Sequence, residues 1–254
     1  MIDPLDLRVK IFADGADLDG MRAMAARPWI RGFTTNPTLM RKAGVVDYKS
    51  FALEVLRAVP DRPVSLEVFA DDFREMERQA REISGWGPNV NVKIPITNTG
   101  RESSGPLVRR LTEAGVRVNV TAVLTLEQVK AIVEHLAPDT PAIVSVFAGR
   151  IADTGTDPVP MMREALKILQ ARPQAELLWA SPREVLNVVQ ADAVGCHIVT
   201  ATHDILAKLP LLGKDPEAYS LETVEMFHRD ALSAGYSIPI GESRRAARPE
   251  ESLS

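Results

Sequence analysis

Short apolar runs alternate along this chain with longer stretches in which apolar residues recur every three or four positions. The short runs are "VKIFADG", "IRGFTTN", "VSLEVFA", "VNVKIPI", "VRVNVTAV", "PAIVSVFAG", "AELLWAS" and "CHIVTAT". Their length and their wealth of β-branched residues mark them as buried strands. Between them, "DLDGMRAMAAR" sets Leu18, Met21, Met24 and Ala25 on one helical face. "DFREMERQAREI" does the same with Phe73, Met76, Ala80 and Ile83, and "TLEQVKAIVEHL" with Leu126, Val129, Ile132, Val133 and Leu136. These faces fit amphipathic helices that cover a sheet. Strand–helix alternation predicts a parallel sheet. Eight strands at a spacing of roughly 30 residues predict an α/β fold, a (β/α)8 TIM barrel.

The punctuation agrees with this frame. Ser84–Gly85 and the run from Gly100 to Gly105 flank the fourth strand. Pro158 and Pro182 are expected in first helical turns, where proline is tolerated. A last helix is expected from about Leu221 to Leu232, with Leu221, Val224, Phe227 and Leu232 as its apolar positions. They suit packing between subunits and capping of the barrel equally well. One domain over 1–240 is therefore expected, followed by a polar, flexible tail over 241–254 with the sequence "GESRRAARPEESLS".

Composition narrows the classes. The chain has 254 residues, 45% hydrophobic and 25% charged, which is ordinary for a globular protein. A formal charge of -4 gives no support to nucleic-acid binding. Cys196 is the sole cysteine. That excludes an intrachain disulfide framework and any cysteine-based zinc cluster, and it fits a reducing cytoplasm. The start, "MIDPLDLRVKIF", does not read as a signal peptide. No run approaches the ~18 apolar residues of a membrane helix.

In such barrels the chemistry gathers where the strands end. The first strand offers Asp14. The second offers Thr34, Thr35 and Asn36. The third and fourth offer Glu67 and Lys93. The fifth offers Asn119 and Thr121, two apart and so on one face. The last three offer Ser145 and Arg150, Ser181, and Thr200 and Thr202. Lys93 stands out because Val92 and Ile94 flank it. A buried lysine loses its charge more readily, and a neutral amine forms Schiff bases with carbonyls. A structural salt bridge from Lys93 to Asp14 or Glu67 is the alternative. His197 and His203, six apart, have poor metal-ligand spacing and read as a core histidine and a helix-cap neighbour. His135 and His228 read as surface residues. Met21, Met24, Met161 and Met162 read as core filler, and Cys196 as buried and inert. "GRESSG" lacks the frame of a nucleotide-binding loop and reads as a loop over the site mouth.

The stretches "FADGADLDGM", "GFTTNPTLM", "VSLEV", "VNVKIPIT", "VNVTAVLT", "SVFAGRIAD" and "ASPREVL…ADAVGCHIVTATHDIL" resemble, in the same order, the small subclass of the transaldolase family, which includes fructose-6-phosphate aldolase-like enzymes. That resemblance implies a Schiff-base aldol mechanism on sugar phosphates, with no metal and no organic cofactor. It implies that Lys93 forms the imine. Asp14 would move the proton of the hydroxyl beside the breaking carbon–carbon bond, and Glu67 and Thr121 would hold a water. Thr35, Asn36, Asn119, Ser145, Phe147 and Ser181 would line the substrate, and Arg150 would bind phosphate. An acid at position 67 and a phenylalanine at position 147 match transaldolases, where the aldolases carry an amide and a tyrosine. "WASPREVL" departs from the family's usual run after the seventh strand. A second phosphate contact would then be missing or supplied by Arg183. The resemblance also implies a homo-oligomer, such as a ring of five or ten subunits. A plain aldolase and a non-catalytic sugar-phosphate-binding barrel are the competing readings. Imine chemistry, in turn, asks for an uncharged amine in a dry pocket whose acidic neighbours keep their distance.

Overall fold

The computed structural model describes residues 3–240. Eight parallel strands close on themselves in the order β1 to β8. They are β1 (Lys10–Asp14), β2 (Ile30–Thr34), β3 (Val64–Glu67), β4 (Val90–Pro95), β5 (Val118–Val123), β6 (Ala142–Val146), β7 (Ala175–Trp179) and β8 (Ile198–Thr202). The intervening helices are α1 (Leu18–Ala25), α2 (Pro37–Lys42), α3 (Tyr48–Ala58), α4 (Phe73–Ser84), α5 (Gly105–Glu113), α6 (Leu126–Val133), α7 (Ala148–Asp153), α8 (Pro158–Leu169), α9 (Leu186–Val194) and α10 (His203–Leu206). The (β/α)8 barrel expected from the alternation is present, with every expected strand in place.

The physical cause is in the strand sequences. Val92, Ile94, Val118, Val120, Val144, Leu177 and Val199 are fully buried and pack outward against the helices. Each such side chain contributes about 1.5–3 kcal/mol. The barrel interior is a separate, smaller cluster of Phe12, Ile143, Leu178, Ala180 and Ile198. Phe12 takes the axis because Gly32 yields it: a Cβ on Gly32 would lie 2.5 Å from the Phe12 ring. Helix starts are fixed by side-chain caps, with Asp17, Asn36, Asp47, Asp72 and Asp157 each accepting from the first turn. Thr125 and Gln128 form a capping box on α6.

Two local expectations need correction. Pro158 does open α8, but Pro182 lies in no helix. Ser181 before it is left-handed, with φ 58°, and α9 begins only at Leu186. The last helix, α11, runs Pro216–Ser233 and so starts earlier than its apolar spacing suggests. Its start is set by the Asp215 cap and Pro216.

The chain divides into two compact units, Met1–Leu212 and Gly213–Ser254. The first holds the barrel. The second contains α11, which has no buried residue and displays Leu221, Val224, Phe227 and Leu232. The expected tail, 241–254, lies outside the described residues. No helix among the described residues is long and apolar enough to cross a membrane.

Candidate active site

Side chains alternate along each strand. In β3 and β4, Glu67 and Lys93 are register partners, and Lys93 also faces Asn119 of β5. These groups open onto a cavity of about 750 Å³ at the C-terminal ends of the strands. It is lined by Asp14, Asn36, Glu67, Lys93, Asn119, Thr121, Ser145, Phe147, Arg150 and Ser181. The structure thus assembles ten of the eleven expected site residues around one space.

Thr35 differs. Its side chain is fully buried and does not line the cavity. Its contribution is a backbone carbonyl, which accepts from Lys93 Nζ at 2.7 Å.

The expectation of an isolated amine also needs correction. Lys93 Nζ lies 2.9 Å from Glu67 Oε2, and both side chains are largely buried, at 8% and 17% exposure. Barrel register explains the pair, because the two residues sit opposite each other on the inward face. The salt-bridge reading and the cavity therefore hold together: the amine is paired, yet it borders a space large enough for a small ligand. The pair keeps an acceptor within proton-transfer reach of the nitrogen. Tyr48 donates to the Glu67 backbone carbonyl at 3.0 Å and steadies the end of β3.

Asp14 sits at the end of β1. Burial pushes its carboxyl above the usual carboxylate range, and the Lys93 charge and the Thr34 hydroxyl offset part of that. Thr34 Oγ1 donates to Asp14 Oδ1 at 2.7 Å and lies 2.6 Å from Thr200 Oγ1. Since Thr34 has one proton, the order is Thr200 to Thr34 to Asp14. A second chain crosses β6, β5 and β3. Ser145 Oγ donates to Asn119 Oδ1 at 2.6 Å, and Asn119 Nδ2 donates to Ser65 Oγ at 3.0 Å. It holds the Asn119 amide in one orientation. Thr121 Oγ1 is buried without a protein partner among the described residues, which suits it to a bound ligand. Asn36 uses Oδ1 to cap α2, which directs its Nδ2 to other partners.

Strain concentrates here. Ala122 and Ser181 both line the cavity with positive φ, 61° and 58°. The β5–β6 register shifts between Val120 and Val123, so Ala122 turns the strand end immediately after Thr121. Non-glycine residues hold such angles only where their surroundings enforce them.

The mouth also carries cations. Arg150 stacks 5.3 Å from the Phe147 ring centroid and makes no ion pair among the described residues. Arg183 and Lys42 also line the cavity. Arg183 is engaged through both arms of its fork by Asp153, which raises the guanidinium and lowers the carboxyl. The loops that carry Arg150 and Arg183 touch closely. Gly149 N donates to Ala180 O at 3.2 Å, and a Cβ on Gly149 would fall 1.5 Å from Ser181 O.

Sequence reasoning places Thr34 and Thr200 at strand ends but gives them no role, and it does not single out Lys42. The inward period of β2 and β8 carries the signal for the two threonines. Lys42, in the last turn of α2, leaves no comparable trace. The 100–105 loop does not line this cavity. It folds back on itself through a Thr97–Ser103 bridge. His197 Nδ1 accepts from Leu177 N at 3.0 Å, but the residue is exposed, so the expected core histidine is instead a surface residue bonded to the β7 backbone. No cluster of metal-ligating side chains occurs among the described residues.

Comparison with known proteins bears on the family and the fold. A protein of Dehalococcoides mccartyi named "Probable transaldolase" is 35% identical over 202 residues, covering 79% of this chain and 90% of the relative. One of the same name from Herpetosiphon aurantiacus is 34% identical over 218 residues, covering 84% and 94%. The crystal structure of KGPDC from Streptococcus mutans superposes with a TM-score of 0.53 at 11% identity, covering 79% of this chain and 90% of that one. That last likeness is one of fold alone. The sequence profile described as "Transaldolase/Fructose-6-phosphate aldolase" matches residues 11–238, and the chain belongs to that family.

Proposed function

We propose that the protein is a Schiff-base transaldolase, which moves a dihydroxyacetone unit from a ketose phosphate to an aldose phosphate. The observation that carries this reading is a lysine at the floor of the cavity, paired with one carboxylate and sharing the space with another. Lys93 gives a proton to Glu67 and attacks the ketone carbon. Loss of water, with protons relayed through Glu67 and the Thr121 hydroxyl, leaves an imine. Asp14, whose carboxyl burial holds above the usual carboxylate range, takes the proton of the neighbouring hydroxyl as the carbon–carbon bond breaks. The electron pair of that bond is held as an enamine, and the first aldehyde leaves. The acceptor aldehyde then takes the pair, and Asp14 returns the proton to its oxygen. Water releases the new ketose. Asn119, Ser145 and Asn36 hydrogen-bond the transferred unit. The Arg150 fork binds phosphate through paired hydrogen bonds, with Arg183 on the adjoining loop after β7.

Borohydride reduction in the presence of fructose 6-phosphate tests the proposal. The expected result is one adduct on the peptide containing Lys93, and neither adduct nor turnover in a folded Lys93→Ala variant. Turnover by that variant overturns the assignment. Product formation that requires an added acceptor aldehyde separates transfer from simple cleavage.

A further inference from the structure

The barrel has a second large cavity at its other end. It measures about 880 Å³ and lies where the strands begin. Phe12 and Ile143, members of the interior cluster, are among its lining residues, and neither lines the Lys93 cavity. Prolines border it ahead of β2, β3, β4, β6 and β7, and each fixes its own φ near −65° and stiffens the rim.

The charge there is unbalanced. Lys10, Arg31, Arg62 and Arg117 line the space against Asp61 and Glu176, in a chain whose formal charge is -4. The two carboxylates are already engaged. Glu176 pairs with Lys10, and Asp61 lies 3.9 Å from Arg62, whose Nη1 donates to Ala25 O at 2.7 Å. Arg31 and Arg117 have no ion pair or side-chain hydrogen bond among the described residues. Arg31 is the extra residue of an irregularity in β2, where Ile11 pairs with Ile30 but Phe12 with Gly32. Arg117 precedes β5, and its carbonyl accepts from Val92 N at 2.9 Å, so it flanks Asn91.

Asn91 is the second observation. It is 6% exposed, lines this cavity, and has no side-chain hydrogen bond to any described residue. Its amide atoms are not fully enclosed and border the open cavity, where their donors and acceptor are available to a polar occupant. Two unpaired guanidiniums and an amide in a concave site focus positive potential and match phosphate oxygens in geometry. Together these features make a built site.

We propose that this cavity binds a small polyanion bearing at least two phosphate groups, held by Arg31 and Arg117 with Asn91 in the wall. The site is independent of the aldol chemistry proposed above and stands or falls separately.

Calorimetric titration of the full chain with inorganic pyrophosphate, at ionic strength fixed with chloride, tests it. An Arg150→Ala, Arg183→Ala background removes the guanidiniums of the other cavity. Binding persists in that background. Adding Arg31→Gln and Arg117→Gln weakens it by about a hundredfold, roughly tenfold for each charge-assisted contact. Asn91→Asp, which keeps the side-chain size and adds a negative charge, weakens it at least about tenfold. Unchanged unfolding midpoints without ligand exclude misfolding as the cause. The proposal is overturned if pyrophosphate fails to bind in that background, if the arginine substitutions change affinity by less than about threefold, or if sulfate at equal ionic strength binds as tightly.

Discussion

Replacing Glu67 by glutamine removes one charge of a buried pair while keeping shape and an acceptor oxygen. At 2.9 Å, and at an effective dielectric of about 20, the attraction between the two charges is roughly 6 kcal/mol before desolvation is subtracted. Removing one partner of a buried pair costs about 3–5 kcal/mol, because the other charge stays behind. The new amide oxygen would still accept from Lys93, and Thr35 O holds the amine at 2.7 Å, so the lower end applies. A loss of about 3 kcal/mol in a domain of this size lowers the melting midpoint by roughly 6–12 °C. Thermal and urea unfolding at pH 7 measure it, and a Lys93→Met change in the Glu67→Gln background restores much of the loss, since no charge then remains unpaired. A midpoint for Glu67→Gln within about 2 °C of the parent refutes the reasoning, as does a double variant no more stable than the single one. The same variant is expected to release free dihydroxyacetone more often relative to transfer, which an assay with and without acceptor reads directly.

Other outcomes follow from the same geometry. Burial raises the Asp14 carboxyl in the folded state, so the stability tied to its protonated form is complete below the usual 3.8 and is lost as pH rises through the raised value. Asp14→Asn is therefore expected to melt above the parent at pH 7 with the gap closing in acid, and to lose about 10²–10⁴-fold in turnover; a lower midpoint at pH 7 contradicts the burial argument. Gly149→Ala forces a methyl onto a backbone carbonyl and is expected to cost at least about 3 kcal/mol, read by urea unfolding, with KM for the phosphorylated substrate rising in whatever folds. The Cys196 thiol is pushed up to about 12 by burial. Ellman's reagent at pH 8 should leave it untouched until the chain unfolds, and rapid native labelling would show that β8 opens far more readily than its packing implies.

The strands could be read from the sequence because each is short and largely buried and most are rich in β-branched residues, which produces runs such as "VNVKIPI" that few other environments allow. The inward polar residues could be read because alternation assigns faces without knowledge of neighbours. Contacts that depend on register between strands could not. The Lys93–Glu67 pair, one of two bridges that the sequence leaves open, is selected by the β3–β4 ladder, and nothing along either strand alone fixes that stagger. The Thr200–Thr34–Asp14 chain joins residues 166 and 20 positions apart and emerges only on closure of the barrel. The short α7, "AGRIAD", carries too few turns to show a period, so its role in presenting Arg150 stayed hidden. The bulge at Arg31 is likewise a property of a strand pair.

The close approach of Gly149 to Ser181 ties the β6 and β7 loops into one rigid body. Evolution, or a protein engineer, therefore has little freedom to re-aim one guanidinium while leaving the other alone. A graft meant to retune preference for the phosphate end of a sugar has to carry both segments, glycine included, as a single cassette.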